Sequence, residues 1–568
     1  MSLVHDHRAV FNILELMTAE VKRLKALAHK VVDVHRLSFR FGDVFMEFKG
    51  FQLAFRVYTM HNVYTLHKPK VEKYHDKMKV KSREYAYAGG QKKCSGLFEA
   101  TLVEDEGSVL IEARAEHDEV IKCYGILLKD LEYGKILDTD WSFKDPEGVI
   151  VFSYPWIWLS MTRYLPSPIF FIEHLGKEYT FALSLDDKVR PKRFRVVNHG
   201  RKLELALFHE EDARLMSTHL ESPPWRIGRT KKPELVIEER MKLMEEKWGL
   251  KPWEIRDDVP SWARRVCLVV NLHFKHWTGY AFNTYKTAAE ALNWIAERIS
   301  GENVLVYMPG WDGRYYYDYP IMEPDPELGG KEGFKQLIEH AHSLGMHVVP
   351  MTSAVAVGFS HIEKLGFKDA IVMDKYGNRL YENWVDWDED GERDNIWYPV
   401  NLGHPAVKKY FIDKISSLID EYQVDGVFLD ICHFYENDPR YSFYEGLRDI
   451  IASLLSKYKG KILIMGECWY DALLPIIPMT HSHNLMPKNW PYFYLKYARM
   501  TYHLSWPAPG SGSTGVHEKG FGKFELPRLD AEIIPTLTIV DDTLTKYRDQ
   551  AEKVIEIAKE WGAKRGIL

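Results

Sequence analysis

Val424-Asp425-Gly426-Val427-Phe428-Leu429-Asp430-Ile431-Cys432-His433 decides how the second half of this chain is read. An apolar run stands between two aspartates. Val, Phe and Leu without polar alternation read as a strand buried on both faces, the pattern of a parallel sheet. Asp430 closes the strand where the chain leaves for a loop. In parallel barrels, reactive groups collect at that end of the strands. Ile462-Leu463-Ile464-Met465-Gly466-Glu467 repeats the design with a glutamate. The plain alternative is a pair of solvated strand-end acids, but both stand among aromatics.

Working outward, strand and helix patterns alternate. Strands are expected at 266–270, 304–307 and 347–350, with helices at 284–299 and 332–344. A long excursion, 354–403, contains a hairpin-like turn at Lys375-Tyr376-Gly377-Asn378. Helix 405–421 leads to the strand ending at Asp430, and helix 441–457 to the strand ending at Glu467. Shorter strands are expected at 481–485, 502–506 and 535–540, and a last helix at 546–562. Eight strands over about 300 residues fit a (β/α)₈ TIM barrel, with Asp430 ending the fourth strand and Glu467 the fifth. A doubly wound open sheet would call for a phosphate loop, and no Gly-x-Gly-x-x-Gly follows the first strand.

The first half reads differently. Phe11, Leu14, Met17, Val21, Leu24 and Ala28 recur at helical spacing, so residues 1–32 are taken as a helical arm. Residues 33–225 hold many short strands, several of them alternating, as in Val109-Leu110-Ile111-Glu112-Ala113-Arg114-Ala115. That pattern predicts an antiparallel β-sandwich. Ser222-Pro223-Pro224-Trp225 marks its expected end, 226–260 a helical linker with a charged helix over 233–248, and 261–568 the barrel.

The length, 568 residues, suits two or more domains. With 81 acidic and 75 basic residues the net charge is −6, which supplies no attraction to nucleic acid or an anionic membrane. No apolar run reaches the ~18 residues that a spanning helix needs. The start, Met1-Ser2-Leu3-Val4-His5, lacks the features of a signal peptide. Cys94, Cys123, Cys267, Cys432 and Cys468 have no metal-site spacing and read as reduced thiols of a cytoplasmic protein. Scarce Gln beside abundant Glu and Lys fits a heat-adapted source. Asp386-x-Asp388-x-Asp390-Gly391 copies half of a calcium loop, but its twelfth position is Trp397, so it is read as a solvated acidic loop. No metal and no cofactor are expected, and nothing defines an oligomeric state.

Two carboxyls on neighbouring strand ends suit glycosidic bond cleavage, where one attacks or guides water and the other protonates the leaving oxygen. Asp430 is assigned as nucleophile, kept ionised by solvated polar neighbours. Glu467 is assigned as acid/base, its pKa raised beside Trp469 and Tyr470. The run from Trp311 and Asp312 to Tyr319 reads as a sugar-stacking loop. Trp384, Trp387 and Asn401 from the excursion, His433, Trp469, His483 and Asp541 complete the expected substrate-binding set. Each has a plain alternative: a lone His is commonly a hydrogen-bonded structural residue, and Asp542-Thr543 reads as a helix cap.

Asn401-Leu402-Gly403-His404-Pro405-Ala406-Val407, then a helix, Asp425-Gly426-Val427-Phe428-Leu429-Asp430 and Gly466-Glu467 together resemble α-retaining glycoside hydrolases of the α-amylase, α-galactosidase and endo-α-N-acetylgalactosaminidase barrels. The resemblance implies a nucleophile at Asp430 and, as in the amylase and endo-acting groups, an acid at Glu467. A β-sandwich before the barrel is similar to the α-galactosidase and endo-acting layouts. There are departures. Phe428 stands where the amylase group has arginine, and a His-Asp pair near strand seven is not found. The expectation is therefore an α-glycosidase acting by retaining double displacement on a carbohydrate, nearest in layout to the endo-acting type. An inverting enzyme using the same pair, or a carbohydrate-binding barrel without catalysis, are the alternatives. An aldolase would need a lysine within a strand, and none is convincing.

Overall fold

Seventeen strands, from Met46–Phe48 to Trp225–Thr230, join in one sheet. Every pairing in it is antiparallel except the short contact between Val149–Tyr154 and Arg163–Tyr164. The structure, a computed structural model, describes residues 41–139, 141–155, 162–382, 386–467, 470–482, 492–502, 526–541 and 543–568. The arm expected over 1–32 lies outside them. The strand Ser108–Glu132 is the spine of the sheet and pairs along its length with five others. Its first part alternates as predicted: Ile111, Ala113 and Ala115 are buried, while Glu112, Arg114 and Glu116 are exposed. From Cys123 to Leu128 every residue is buried, so both faces are covered there. The pairing makes one connected set of strands, linked through this shared spine.

The expected boundary shifts. Trp225–Thr230 pairs with Tyr179–Ser184 and with the spine, so the first sheet runs on to Thr230. Pro223 and Pro224 only set the entry to this last strand, because proline cannot donate to a ladder. Helix α1, Pro233–Trp248, matches the reading: Pro233 pre-sets the first turn and Gly249, at φ +67°, closes the last.

The second half forms a wholly parallel sheet of nine strand segments. They are β1 Leu268–Leu272, β2 Val304–Met308, β3 His347–Ser353, β4 Gly426–Asp430, β5 Leu463–Glu467, β6 Met479–Ser482, β7 Arg499–Tyr502, and β8 in two pieces, Ile533–Ile534 and Thr536–Ile539. The first piece of β8 pairs with β7 and the second with β1, so the sheet curls back on itself. Pro535, which has no N–H, separates the two pieces. Strands β6 and β7 start two to three residues earlier than expected. Their inward positions are polar (His481, Thr501), so an apolar run did not mark them.

Helices α2 Tyr285–Ala296, α3 Gly330–Ser343, α4 Pro405–Tyr422, α5 Phe443–Tyr458 and α6 Arg548–Lys564 follow β1, β2, β3, β4 and β8. Among the described residues, the link from β5 to β6 holds only the 3₁₀ turn Asp471–Leu473, so the strict strand–helix alternation is not met there. Also among the described residues, no helix is long and apolar enough to cross a membrane.

Two polar clusters join sheet to barrel. Asp471, fully buried after β5, accepts hydrogen bonds from Tyr154, from Ser167 at 2.9 Å and from Arg240 of α1 at 2.8 Å. Glu210 of the sheet takes Lys375 of the excursion at 2.7 Å and Asn437, from the loop after β4, at 3.0 Å. The sheet thereby braces the loop that leaves Asp430.

Candidate active site

The two aspartates of the opening stretch meet opposite environments. Asp425, at the bottom of β4, is partly buried, which opposes its charge. His342 at 2.9 Å, His347 at 3.3 Å and the backbone N–H of Val348 outweigh this and hold its pKa at about 2. It is a structural acid. Asp430 lies at the other rim.

Register shows what Asp430 faces. Partners aligned in a parallel pair share a face, and a strand repeats that face every second residue. Asn271, Tyr307 and Val349 align across β1 to β3, and Met351, Phe428 and Met465 across β3 to β5. The Phe428 ring lies 4.6 Å from that of Tyr307 and 4.6 Å from that of His481. These rings come from β2, β4 and β6, which are not neighbours, so they meet inside the barrel. Asp430 is two residues above Phe428, and Glu467 two above Met465 and aligned with His481. Both acids therefore point inward at the C-terminal rim.

The two carboxyls feel each other at this rim, and Tyr319 donates to Asp430 Oδ2 at 3.1 Å. Burial, and then the charge of Glu467, push the Asp430 carboxyl well above the usual range, against the pull of Tyr319 and the Ile431 N–H. Asp430 is 5% exposed, so the solvated setting expected for it is corrected: its burial favours the protonated form. Removing the partner charge tests this. In Glu467→Gln the Asp430 carboxyl is expected to titrate lower than in the wild type, read by ¹³C NMR of labelled aspartate.

Close approach of β4 and β5 explains the motif glycines. A Cβ on Gly426 would sit 2.0 Å from Leu463 O, and one on Gly466 would sit 2.4 Å from Cys432 Sγ. Just past Asp430, Ile431 adopts φ +58°, a strained state for a β-branched residue. That turn aims its N–H at Glu467 Oε2, 3.0 Å away. His433 Nδ1 lies 3.7 Å from the same oxygen and 3.2 Å from Glu467 O. His481 Nε2 lies 3.9 Å from Glu467 Oε1.

The other expected residues divide. Trp387 is half-exposed, donates to Tyr317 OH at 2.9 Å and packs 5.6 Å from the Trp277 ring, so it offers an open aromatic surface. Asp312 is buried with Oδ2 unpartnered, and burial drives its carboxyl well above the usual range. Asp541 sits past the end of β8 and accepts from Tyr280 at 3.2 Å. Two expectations are corrected. Trp311 has no open face, because it is fully buried, stacked 4.6 Å from Phe334 and bonded to Met351 O at 2.7 Å. Asn401 braces the start of α4, donating to Tyr441 O at 2.9 Å and accepting from Gly403 N at 2.9 Å. Trp384, Trp469 and His483 lie outside the described residues. The reading did not single out Tyr307 or His273, because the face each presents follows from register between strands, which local sequence does not carry.

Asp386, Asp388 and Asp394 bring carboxylate oxygens within 4.8 Å of one another. Asp386 already accepts Asp390 N and Gly391 N, and Asp394 accepts Trp387 N, which is the turn chemistry of an acidic loop. Trp397, at the twelfth position, is buried in a strand.

No family model matches the chain. A cyclomaltodextrinase of Geobacillus thermopakistaniensis is 30% identical over 166 residues, 27% of this chain and 26% of that protein. A malto-oligosyltrehalose trehalohydrolase of Saccharolobus solfataricus is 25% identical over 223 residues, 37% of this chain and 34% of that one. A solved α-N-acetylgalactosaminidase of Bifidobacterium bifidum superposes with a TM-score of 0.63 at 13% identity, covering 91% of this chain and 93% of the other. Over about a quarter of its length the chain is thus similar in sequence to a cyclomaltodextrinase and to a maltogenic α-amylase of Bacillus acidopullulyticus, 28% identical over 173 residues. The likeness to the α-N-acetylgalactosaminidase is one of fold, and its coverage takes in both sheet and barrel. The sequence matches to curated α-glycosidases span about a quarter to a third of those proteins' lengths.

Proposed function

We propose that this protein is a glycoside hydrolase that cleaves α-glycosidic bonds by retaining double displacement. Asp430 is the nucleophile and Glu467 the acid/base. The observation that carries the reading is the placement of the buried Asp430 and of Glu467 on the inward face of neighbouring strand ends at the barrel rim, ringed by Tyr307, Tyr319, His433 and His481.

In this reading a glycoside enters with its anomeric carbon beside Asp430 and its scissile oxygen beside Glu467. With substrate bound, Glu467 carries the proton and Asp430 is ionised. Tyr319, donating to Asp430, stabilises the carboxylate. Asp430 then bonds to the anomeric carbon as Glu467 protonates the departing oxygen. Water next gives its proton to Glu467 and displaces Asp430, restoring both groups. Inverting enzymes hold their carboxyls ~6.5–9.5 Å apart to admit a water. Retaining enzymes hold theirs ~5–5.5 Å apart, and the effect of the Glu467 charge on Asp430 favours that closer spacing. A barrel that only bound sugar would gain nothing from burying an acid pair, since burial of such groups costs stability.

The test is a panel of aryl α- and β-glycosides, including aryl disaccharides, with the first product anomer read by ¹H NMR. Cleavage of an α-glycoside to the α-anomer is expected. A β-anomer from it would show inversion, and cleavage of β-glycosides alone, or of none, would overturn the reading.

A further inference from the structure

His273 follows β1 and keeps its register. Its N–H donates to Ile539 O at 3.3 Å, continuing the pairing with β8, and it lies two residues beyond Asn271 on the inward face. It is 4% exposed, and neither ring nitrogen has a hydrogen-bond partner. Leaving a buried polar atom unsatisfied costs about 1–3 kcal/mol, so such atoms call for an explanation. The ring is held by apolar and aromatic surfaces: Phe282 at 5.0 Å, Tyr315 at 5.8 Å and His276 at 6.3 Å between centroids. Asn283 fixes the backbone by donating to His273 O at 2.6 Å. Burial, with His276 adding to it, keeps the imidazole neutral, so it carries one N–H donor and one acceptor nitrogen.

Its neighbours lead to the acids. Asn271, two residues below His273, is aligned with Tyr307 on the same inward face, and the Tyr307 ring lies 4.6 Å from that of Phe428 and 6.1 Å from that of His481, the residues beneath and beside the acids.

We infer that His273 is a substrate-contacting residue of the Asp430–Glu467 site, its two ring nitrogens paired by hydroxyl groups of the bound sugar. This rests on the glycosidase reading above. A neutral imidazole suits a sugar hydroxyl, which both donates and accepts. Satisfying a group already desolvated in the free protein also makes the contact selective, because an analogue lacking the hydroxyl leaves it unpaired.

The experiment compares wild type, His273→Phe and His273→Gln on an α-glycoside that is cleaved and on its monodeoxy analogues. In wild type, removal of one particular hydroxyl is expected to lower kcat/KM by about 10- to 100-fold. In His273→Phe that one discrimination should collapse while the others persist, and His273→Gln should recover part of it. A structural role would instead lower every substrate alike. Unchanged or uniform ratios in a folded His273→Phe overturn the inference. If His273→Phe does not fold, the ¹⁵N shifts of His273 in wild type saturated with galactose, N-acetylgalactosamine or glucose decide it: a shift to hydrogen-bonded values supports the contact, and no change overturns it. Calorimetry with the same monosaccharides separates the two claims. Wild type that cleaves nothing but binds a sugar, more weakly in His273→Phe, removes the hydrolase reading and leaves this one. Wild type that neither cleaves nor binds overturns both.

Discussion

Asp430→Ala is expected to lose on the order of 10⁴- to 10⁶-fold in kcat on a cleaved aryl α-glycoside, the scale seen when a covalent nucleophile is removed. Glu467→Ala is expected to lose roughly 10²- to 10⁴-fold, and less on substrates whose leaving group needs no proton. Azide distinguishes the two roles. With Asp430→Ala it enters the vacated space and yields the β-glycosyl azide from an α-glycoside. With Glu467→Ala it attacks the Asp430 ester and yields the α-glycosyl azide. Swapped products would exchange the assignments, and undiminished turnover in Asp430→Ala would remove it as nucleophile. The same residue bears on stability. Its carboxyl is raised in the folded protein, so its contribution is fully present below its unfolded pKa and is lost as pH rises through the folded value. Asp430→Asn should therefore unfold later than wild type at neutral and alkaline pH, which denaturant titrations across pH will show. An active site that opposes stability is common.

The largest expected effect on folding lies at the junction of sheet and barrel. Asp471→Asn leaves Arg240, 1% exposed, without its ion pair, and breaking a buried pair from one side costs about 3–5 kcal/mol. The guanidinium retains Asp186 O at 2.8 Å, a weak contact with Tyr154 and the Trp248 ring, 5.2 Å away, none of them a carboxylate. The double variant Asp471→Leu with Arg240→Met should regain part of the loss, because it removes both charges from the dry interface. Recovery stays partial because Tyr154 and Ser167 lose their acceptor. Guanidinium unfolding followed by tryptophan fluorescence measures all three. A single variant as stable as wild type would show that the sheet and barrel are joined mainly by other contacts.

The barrel was legible wherever inward positions are apolar. The β4 run ending at Asp430 and the β5 run ending at Glu467 declared themselves because parallel strands buried on both faces admit no alternation. Strands β6 and β7 were displaced because the residues that face the site there, His481 and Thr501, are polar. The same limit affected aromatic residues. A dense run such as Trp311 to Tyr319 carries no mark of which ring is wedged in the core and which is open. Trp311 packs on Phe334, while Tyr319 reaches Asp430.

By itself the sequence determined a parallel second half and two acids at neighbouring strand ends, because periodicity and strand-end position are local properties of the chain. Only the tertiary structure decided that Asp430 and Glu467 face inward together at the rim. It also decided that Asp430 is buried and not solvated, and that the His273 ring is buried without a hydrogen-bond partner. Those facts depend on burial and on register between strands far apart in sequence. Both arise only when the sheet curls and closes around its polar rim.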